Sequence, residues 1–290
     1  MTGWLVVNKF LASAKFSEIF EWLEDSAARH GIELIRVTNA ELMNVPGRGG
    51  RAEGRPDFVL FWDKDVRLAE RLEADGFRLF NSARAIETCD DKSLTYVRLK
   101  KSGVPMPETL IAPMTFHNIG YTDYEFLRSA KDALGFPMVV KESYGSFGKE
   151  VYLARDMNEL REIVQSAGGR PLIFQEYVKS SHGIDIRINI VGGEVIASML
   201  RRSVNGDFRA NVTNGGKMET YTPTDGEAAL AIRSCEALEL DFAGIDILFG
   251  ADGEPVFCEA NSNSHFKNIY DCTGINVADA MFKYILRKIG

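Results

Sequence analysis

The side chains best suited to metal chemistry lie in the stretch Gly244–Ser264, where two apolar runs flank the turn Gly250–Gly253. This pattern predicts a β-hairpin. Asp246 lies inside the first strand, while Glu259 and Asn261 end the second. Because residues two apart on a strand share a face, the hairpin can bring these three oxygen-bearing side chains together. Such hard ligands suit Mg²⁺ that carries nucleotide phosphates, although polar residues at an ordinary strand end explain the stretch equally well.

A second candidate is the loop Ser143–Lys149, which follows a short apolar strand that carries Lys141 near its end. The small residues of the loop allow close backbone approach, and its N–H groups can hold phosphate oxygens. A lysine facing the same place would add a positive charge for the phosphates. The candidate phosphate contacts in the loop are Ser143, Gly145, Ser146 and Gly148. The loop lacks the P-loop pattern, and a plain hairpin turn with a solvent-exposed lysine is the alternative interpretation.

Two further segments carry groups that could bind a nucleotide or an acyl group. The segment Gln175–Val178 closes an apolar strand, where backbone groups could read an adenine edge beside Tyr177 and Val178. Asp185 and Arg187 alternate within a strand and therefore share a face. The polar stretch that follows contains Arg201, Arg202, Arg209 and Asn211. Arginines there could bind carboxylates and developing phosphoryl charge, and the alternatives are a plain strand end and a solvated basic face.

The overall composition argues against several function classes. The 290 residues carry a net charge of -7, so there is no general positive charge of the kind that binds nucleic acid. The four cysteines form no C-x-x-C pair and fit free thiols in a reducing compartment. No signal-peptide pattern or membrane-spanning apolar run is present, so we expect a cytoplasmic protein without membrane contact. The four histidines do not suggest an all-histidine metal site. His265 lies just beyond the metal candidates and could touch substrate, although a plain loop histidine is the preferred interpretation.

The N-terminal third alternates short strands with helices, which indicates a small, mostly parallel α/β sheet. The predicted strands are Trp4–Val7, Leu34–Val37, Phe58–Trp62 and Leu79–Phe80, and the predicted helices run through Phe16–Ala27 and Val66–Ala74. No G-x-G-x-x-G motif follows the first strand, so a dinucleotide site is not expected there. Ligands of such sheets lie at the carboxyl ends of the strands, which is where Lys9, Trp62, Asp63 and the loop 44–56 would be found.

The rest of the chain divides into two further units. A helix from Asp90 to about Ser102 and an extended crossing, Ser102–Pro107, lead into a compact α+β unit. From Gly183 the pattern becomes strand-rich, and a helix over Val277–Ile289 closes the chain. We therefore predict three domains, at residues 1–90, 91–178 and 179–290.

Taken in order, these motifs resemble the ATP-grasp ligases, and more closely their RimK-type, glutamate-ligase-like branch of carboxylate–amine ligases. The matching motifs are Lys92 after paired aspartates, Lys141 before a glycine loop, QEYV, D-I-R, G-D-F-R-A-N, G-I-D-I-L and E-A-N-S. The resemblance covers residues 80–290 well and the N-terminal domain loosely. It implies an ATP-grasp fold with an N-terminal parallel-sheet domain, a central lid domain and a C-terminal antiparallel-sheet domain.

The resemblance also implies how ATP would be bound, between the second and third domains. Lys92 and Lys141 would contact its phosphates. Glu176–Val178 would form the hinge that holds the adenine, and Asp185 would lie beside the nucleotide.

Further roles implied by the resemblance concern the acyl group and the metal. The residues that would border the phosphates and the acyl group are Arg209, Ala210 and Asn211. Arg201 would stabilise the transferred phosphoryl group. Asp246, Glu259 and Asn261 would hold two Mg²⁺ ions, with Mn²⁺ as an alternative metal.

The implied activity is ATP-dependent ligation of a carboxylate to an amine through an acyl phosphate, with release of ADP and phosphate. The substrates would be an amino acid or a short peptide, and the glycine loop would act as a lid that excludes water. Where the RimK type usually reads Ser-Ser-Pro-Gly-Leu-Glu after E-x-N, this chain has Ser262–Lys267. The resemblance places this segment toward the substrate, so it does not extend to ribosomal-protein glutamylation. The alternatives are a peptide-modifying macrocyclase of the same superfamily and a regulatory nucleotide-binding module without turnover. The sequence leaves a homo-oligomer open.

Overall fold

The computed structural model describes residues 1–11, 13–44, 55–116, 118–145, 148–210 and 216–290. Within these ranges the chain forms three sheets that follow one another in sequence. Most of the 44–56 loop lies outside them, as do Ser146 and Asn211. No helix of the described ranges is both long and apolar enough to cross a membrane.

The first sheet is parallel and has the strand order β2-β1-β3-β4. Its elements are β1 (Thr2–Val7), α1 (Ala14–Arg29), β2 (Glu33–Thr38), β3 (Phe58–Phe61), α2 (Val66–Ala74) and β4 (Leu79–Phe80). β3 is buried along its whole length, as is typical of an inner strand of a parallel sheet. Because β1 and β3 are parallel neighbours, their carboxyl ends lie side by side at one edge of the sheet. The predicted parallel sheet is confirmed.

The second sheet is antiparallel, with the order β5-β8-β6-β7. The elements of this part are α3 (Ala83–Asp90), α4 (Lys92–Lys101), β5 (Thr109–Ile111), α5 (Phe126–Leu134), β6 (Met138–Glu142), β7 (Val151–Ala154), α6 (Met157–Ala167) and β8 (Leu172–Glu176). The predicted helix from Asp90 to about Ser102 is confirmed as α4, which begins two residues later than Asp90. The carboxylate of Asp91 accepts hydrogen bonds from the backbone N–H groups of Ser93 and Leu94, at 2.8 and 3.3 Å, and so caps α4. Lys92 is therefore the first residue of α4.

The third sheet is also antiparallel and has the order β11-β10-β9-β12-β13. Its elements are β9 (Ile184–Val191), β10 (Glu194–Arg202), β11 (Lys217–Thr220), α7 (Asp225–Ala237), β12 (Phe242–Phe249), β13 (Pro255–Asn261), α8 (Lys267–Thr273) and α9 (Val277–Ile289). β12 and β13 form the predicted hairpin. In its register Asp246 lies opposite Glu259, and Gly244 lies opposite Asn261.

Several short elements were not predicted from the sequence. They are α3, α8, β5 and β11. β5 and β11 have three and four residues, and they exist as strands because they pair with β8 and β10 at sheet edges. Such short segments carry too little periodic pattern to be recognised alone. The three sheets fall within the three predicted domains, whose boundaries stay a prediction.

The turn between β9 and β10 contains a glycine whose replacement we expect to destabilise the protein. Gly192 has a φ of +59°, and a Cβ atom there would lie 2.4 Å from the ring of Tyr284 on α9. The neighbouring Gly193 has a φ of +81°, but open space surrounds it. We expect Gly192→Ala to lower the free energy of unfolding by about 2 to 3 kcal/mol and Gly193→Ala by about 1 kcal/mol. Urea denaturation measures both, and equal losses would contradict the predicted steric clash.

Candidate active site

A cavity of about 510 Å³ opens between the three sheets. Its volume lies in the ordinary range for small-molecule sites. The predicted residues that line it are Lys92, Lys141, Gly148, Glu176, Tyr177, Val178, Asp185, Arg201, Arg209, Ala210, Asp246, Glu259 and Asn261. Ser143 and Gly145 are not in its wall. Ser143 is buried instead, and its carbonyl accepts a hydrogen bond from the Lys92 backbone N–H at 2.9 Å. Most of the predicted site residues thus face one space.

Two lysines from different elements come together in the cavity wall. Lys141 lies on β6 with only 8% of its surface exposed, and its ammonium has no hydrogen bond or ion pair within the described residues. Lys92 donates through Nζ to the carbonyl of Gly145 at 3.2 Å, and the same atom lies 3.6 Å from Glu259 Oε1. Both lysines also line a 20 Å³ cavity beside the main one. Since two positively charged side chains line this part of the cavity, it suits a polyanion such as a polyphosphate.

Arg209 connects the polar stretch after β10 to the glycine loop. Its Nη1 donates to the carbonyl of Gly148 at 2.7 Å and to that of Val151 at 3.3 Å. Asp207 accepts two further hydrogen bonds from the same guanidinium, at 3.0 and 2.8 Å. These bonds to Arg209 hold the pKa of the Asp207 carboxyl below its ordinary value. Arg209 is therefore fixed at the base of the loop, with its neighbour Ala210 in the cavity wall.

Asp246, Glu259 and Asn261 face the cavity from the β12–β13 hairpin, as predicted. The side-chain nitrogen of Asn261 is buried and has no hydrogen-bond partner in the part of the chain that the structure describes. Within that part, no three His, Cys, Asp or Glu side chains lie close enough together to hold a metal ion. A cation would therefore need the oxygens of a bound phosphate in addition to Asp246, Glu259 and the Asn261 amide oxygen, and carboxylates together with phosphates are the usual ligands of Mg²⁺. On those terms the donor set fits Mg²⁺.

Two arginines already hold the carboxylate of Asp246. Arg187 donates to both of its oxygens at 2.6 Å, and Arg201 Nη2 lies 3.0 Å from Oδ2. Arg201 also donates to both oxygens of Asp185 at 2.6 Å. Burial alone would raise the pKa of the Asp246 carboxyl, but the two arginines outweigh it and hold this pKa below its ordinary value. A metal at Asp246 would use lone pairs that the arginines leave open, and Asp185 serves first to hold Arg201.

The predicted adenine hinge lies at the end of β8, in the cavity wall. Two hydrogen bonds join Glu176 to Glu108. The backbone N–H of Glu176 donates to the Glu108 carbonyl at 2.8 Å, and the backbone N–H of Glu108 donates to Glu176 Oε2 at 3.2 Å. The hydroxyl of Tyr177 is hydrogen-bonded to His182 Nδ1. These contacts fix the backbone of the segment beside the cavity. Its contact with an adenine stays a prediction.

A further wall of the cavity comes from the first sheet and from the residues after Asn261. It contains Asn263 and Ser264 of the segment Ser262–Lys267, and it also contains four residues that were not singled out as site residues from the sequence, namely Asn8, Lys15, Phe16 and Asn268. Trp62 and Asp63 line it as predicted from their strand end, whereas Lys9 is exposed and outside the wall. His265 also lines it, and its Nε2 donates to the Lys15 carbonyl at 3.3 Å. Burial lowers the pKa of the His265 imidazole, which favours its neutral form.

Residues 89–285 match a protein-family model described as a RimK-like ATP-grasp domain. N-acetylaspartylglutamate synthase A of Homo sapiens is 38% identical over 225 residues, which cover 77% of this chain and 56% of that protein. Beta-citrylglutamate synthase B of Danio rerio is 37% identical over 225 residues, which cover 77% of this chain and 54% of that protein. A probable alpha-L-glutamate ligase of Syntrophotalea carbinolica is 34% identical over 211 residues, which cover 71% and 66%. The chain thus spans little more than half the length of the two synthases.

Solved structures match over nearly the whole chain. A RimK domain ATP-grasp protein from Sphaerobacter thermophilus has a TM-score of 0.74 at 20% identity, with 98% of this chain and 99% of that chain covered. D-alanine–D-alanine ligase from Bacillus anthracis, complexed with ATP, also has a TM-score of 0.74, at 18% identity, with 100% and 97% covered. These likenesses confirm the predicted ATP-grasp fold.

Proposed function

The chain belongs to the RimK-like ATP-grasp family, and on this premise we propose that it is an ATP-dependent carboxylate–amine ligase. One observation supports this more than any other: a single cavity carries lysines suited to a polyphosphate and oxygen donors suited to Mg²⁺. These residues are Lys92, Lys141, Asp246, Glu259 and Asn261. Phosphoryl transfer depends on positioning the phosphates and neutralising their charge, and this residue set can do both.

In the proposed complex, ATP lies between the second and third sheets. The strand end Glu176–Val178 holds the adenine through its backbone, and Lys92 and Lys141 neutralise the phosphates. Backbone N–H groups of the glycine loop add contacts to the phosphate oxygens. Bound Mg²⁺ would neutralise and orient the β- and γ-phosphates; we propose two ions, with Mn²⁺ as a substitute that takes the same oxygen ligands.

The first step joins the substrate carboxylate to ATP. A carboxylate oxygen forms a bond to the γ-phosphorus while the bond from that phosphorus to the ADP oxygen breaks. Arg201 and Arg209 stabilise the negative charge on the transferred group. The glycine loop, held by the bond from Arg209 to the Gly148 carbonyl, keeps water away from the resulting acyl phosphate.

The second step forms the amide. The uncharged amine attacks the acyl carbon, the C–N bond forms, and the C–O bond to phosphate breaks. The nitrogen releases a proton, and the products are the amide, ADP and phosphate. The wall formed by the first sheet and by residues after Asn261 faces the same cavity, and we propose that the two substrates bind against it.

For the amine we propose glutamate as the first candidate, since the names of the three relatives described above all contain glutamate. For the carboxylate, the two synthases suggest N-acetylaspartate and citrate. Lys15 and Arg187 both line the cavity, where they could meet substrate carboxylates. Burial, together with the positive charge of Arg187, lowers the pKa of the Lys15 ammonium. A negatively charged substrate would relieve this repulsion.

The test is ADP release with Mg²⁺ across pairs of carboxylates and amines, with hydroxylamine added to trap acyl phosphate as a hydroxamate. We expect hydroxamate with one donor carboxylate in the absence of any amino acid, and amide when glutamate is present. Neither ADP nor hydroxamate with any donor, despite ATP binding, would contradict the ligase and favour a regulatory nucleotide-binding module. Activity with peptides alone would favour a peptide-modifying enzyme.

We also propose that the three domains at residues 1–90, 91–178 and 179–290 behave as separate folding units joined at the cavity. Support comes from the confinement of each sheet to one of these ranges. The middle range would be the one that moves as the lid closes over the nucleotide.

A further inference from the structure

Asp63 is a buried carboxylate in the cavity wall that neutral groups hold in place. It lies just beyond β3, with 5% of its surface exposed. Asn8 Nδ2 lies 3.2 Å from both carboxylate oxygens, and the Lys64 backbone N–H donates to Oδ1 at 2.7 Å. The Lys64 ammonium is directed to a different carboxylate, that of Asp90. Within the described ranges, Asp63 forms no ion pair.

The other buried carboxylates of the cavity wall are neutralised by cations. Asp185 and Asp246 are bound by arginines at 2.6 Å. The partly exposed Glu259 faces a lysine at 3.6 Å. Burial raises the pKa of the Asp63 carboxyl, because its hydrogen bonds and the nearby charge of Lys64 do not replace the lost water in full. A positively charged group of a ligand would supply what is missing.

Asp63 also lies close to the proposed site of chemistry. Asn263 Nδ2 donates to the Asp63 carbonyl oxygen at 3.0 Å. Asn263 follows the metal candidate Asn261 by two positions, so the Cα atoms of these two asparagines are at most about 7 Å apart. A group held by Asp63 would therefore lie in the same cavity as the metal candidate Asn261.

We propose that Asp63 binds the ammonium group of the amine substrate as it enters, and that Asn8 positions its carboxylate for this contact. The bound ammonium then loses one proton to solvent, and the uncharged amine attacks the acyl carbon as described above. The inference rests on the proposed ligase function and assigns recognition of the amine to the first sheet. The donors N-acetylaspartate and citrate carry no free amine, so an ammonium site serves the other substrate. Because hydrogen bonds between charged groups are the stronger ones, loss of this contact should weaken amine binding roughly 10- to 100-fold.

The test measures the KM for glutamate in the Asp63→Asn variant, with Glu70→Gln as the matched control. Glu70 is exposed on α2, so its substitution removes the same charge outside the cavity. In Asp63→Asn we expect the KM for glutamate to rise roughly 10- to 100-fold. Hydroxamate formation with hydroxylamine, which is uncharged at neutral pH, should stay within about twofold of the unmodified protein. Glu70→Gln should change neither quantity.

An unchanged KM for glutamate in Asp63→Asn would overturn the inference and leave the ligase function standing. Absence of hydroxamate with the unmodified protein would instead overturn the proposed function. If Asp63→Asn does not fold, inhibition of the unmodified protein by glutarate tests the inference instead, because glutarate is glutamate without the amine. We expect glutarate to inhibit the unmodified protein with a constant at least about tenfold above the KM for glutamate, and equal values would overturn the inference.

Discussion

Glu259→Gln is expected to slow acyl-phosphate formation about 1,000-fold at saturating ATP and Mg²⁺. The substitution keeps the shape of the side chain but removes the charge of a proposed metal ligand, which would leave Asp246 and Asn261 to hold the cation. The 3.6 Å ion pair from Glu259 to Lys92 is partly exposed, so its loss should change the free energy of unfolding by less than about 1 kcal/mol. The measurement is hydroxamate formation with a saturating donor carboxylate.

Glu254→Gln is the matched control for this prediction. Glu254 belongs to the same hairpin and is exposed at its turn, so its substitution removes one negative charge away from the cavity. Glu254→Gln should form acyl phosphate at the rate of the unmodified protein. Equal rates in Glu259→Gln and Glu254→Gln would show that Glu259 is not a metal ligand. Asn261→Ala should lose activity as Glu259→Gln does.

Arg201→Met is expected to lower the free energy of unfolding by about 3 to 5 kcal/mol. Arg201 is buried, donates to both oxygens of Asp185, and lies 3.0 Å from Asp246. Methionine fills much of the same volume but supplies no charge. Asp246 would keep Arg187, whereas Asp185 would lose its only cationic partner within the described residues. The large effect therefore comes from one uncompensated buried carboxylate.

Two further variants make this prediction specific. Arg202→Met changes the next residue of β10, which is exposed and on the opposite face, so it should lower stability by less than about 0.5 kcal/mol. Adding Asp185→Asn to Arg201→Met should restore part of the stability, because no uncompensated charge is then buried. Urea denaturation gives all four free energies. A loss under about 1 kcal/mol in Arg201→Met, or no recovery in the double variant, would contradict the account.

The hairpin that carries the proposed metal donors was predictable, and the arginines bound to it were not. Alternation along the strands and the turn chemistry placed the three oxygen donors on one hairpin, and the register of Asp246 opposite Glu259 confirms this. The contact of Arg187 with Asp246 depends on β9 and β12 being neighbours with these two residues opposite each other. In the same way, the pairing of β9 with β10 sets Arg201 opposite Asp185. Strand order is a property of the whole sheet, so it cannot be predicted from the periodicity of a single strand.

The wall from the first sheet was predicted only in part. The rule that ligands lie at the carboxyl ends of parallel strands located Trp62 and Asp63, and applied to β1 it would also have located Asn8. His265 was interpreted from the sequence as a loop residue, with substrate contact as the alternative, and it faces the cavity. Its hydrogen bond joins it to Lys15, 250 positions away along the chain. A contact of that kind becomes visible only once the first and third sheets are packed together.

Transfer of oxygen from the donor carboxylate to phosphate tests the central claim most directly. If the cavity forms an acyl phosphate, a donor labelled with ¹⁸O passes a labelled oxygen to the released phosphate, because the acyl C–O bond is the one that breaks. We predict singly labelled phosphate in step with ADP, measured by mass spectrometry. Unlabelled phosphate, or label in AMP, would contradict the assignment of this cavity to acyl-phosphate chemistry.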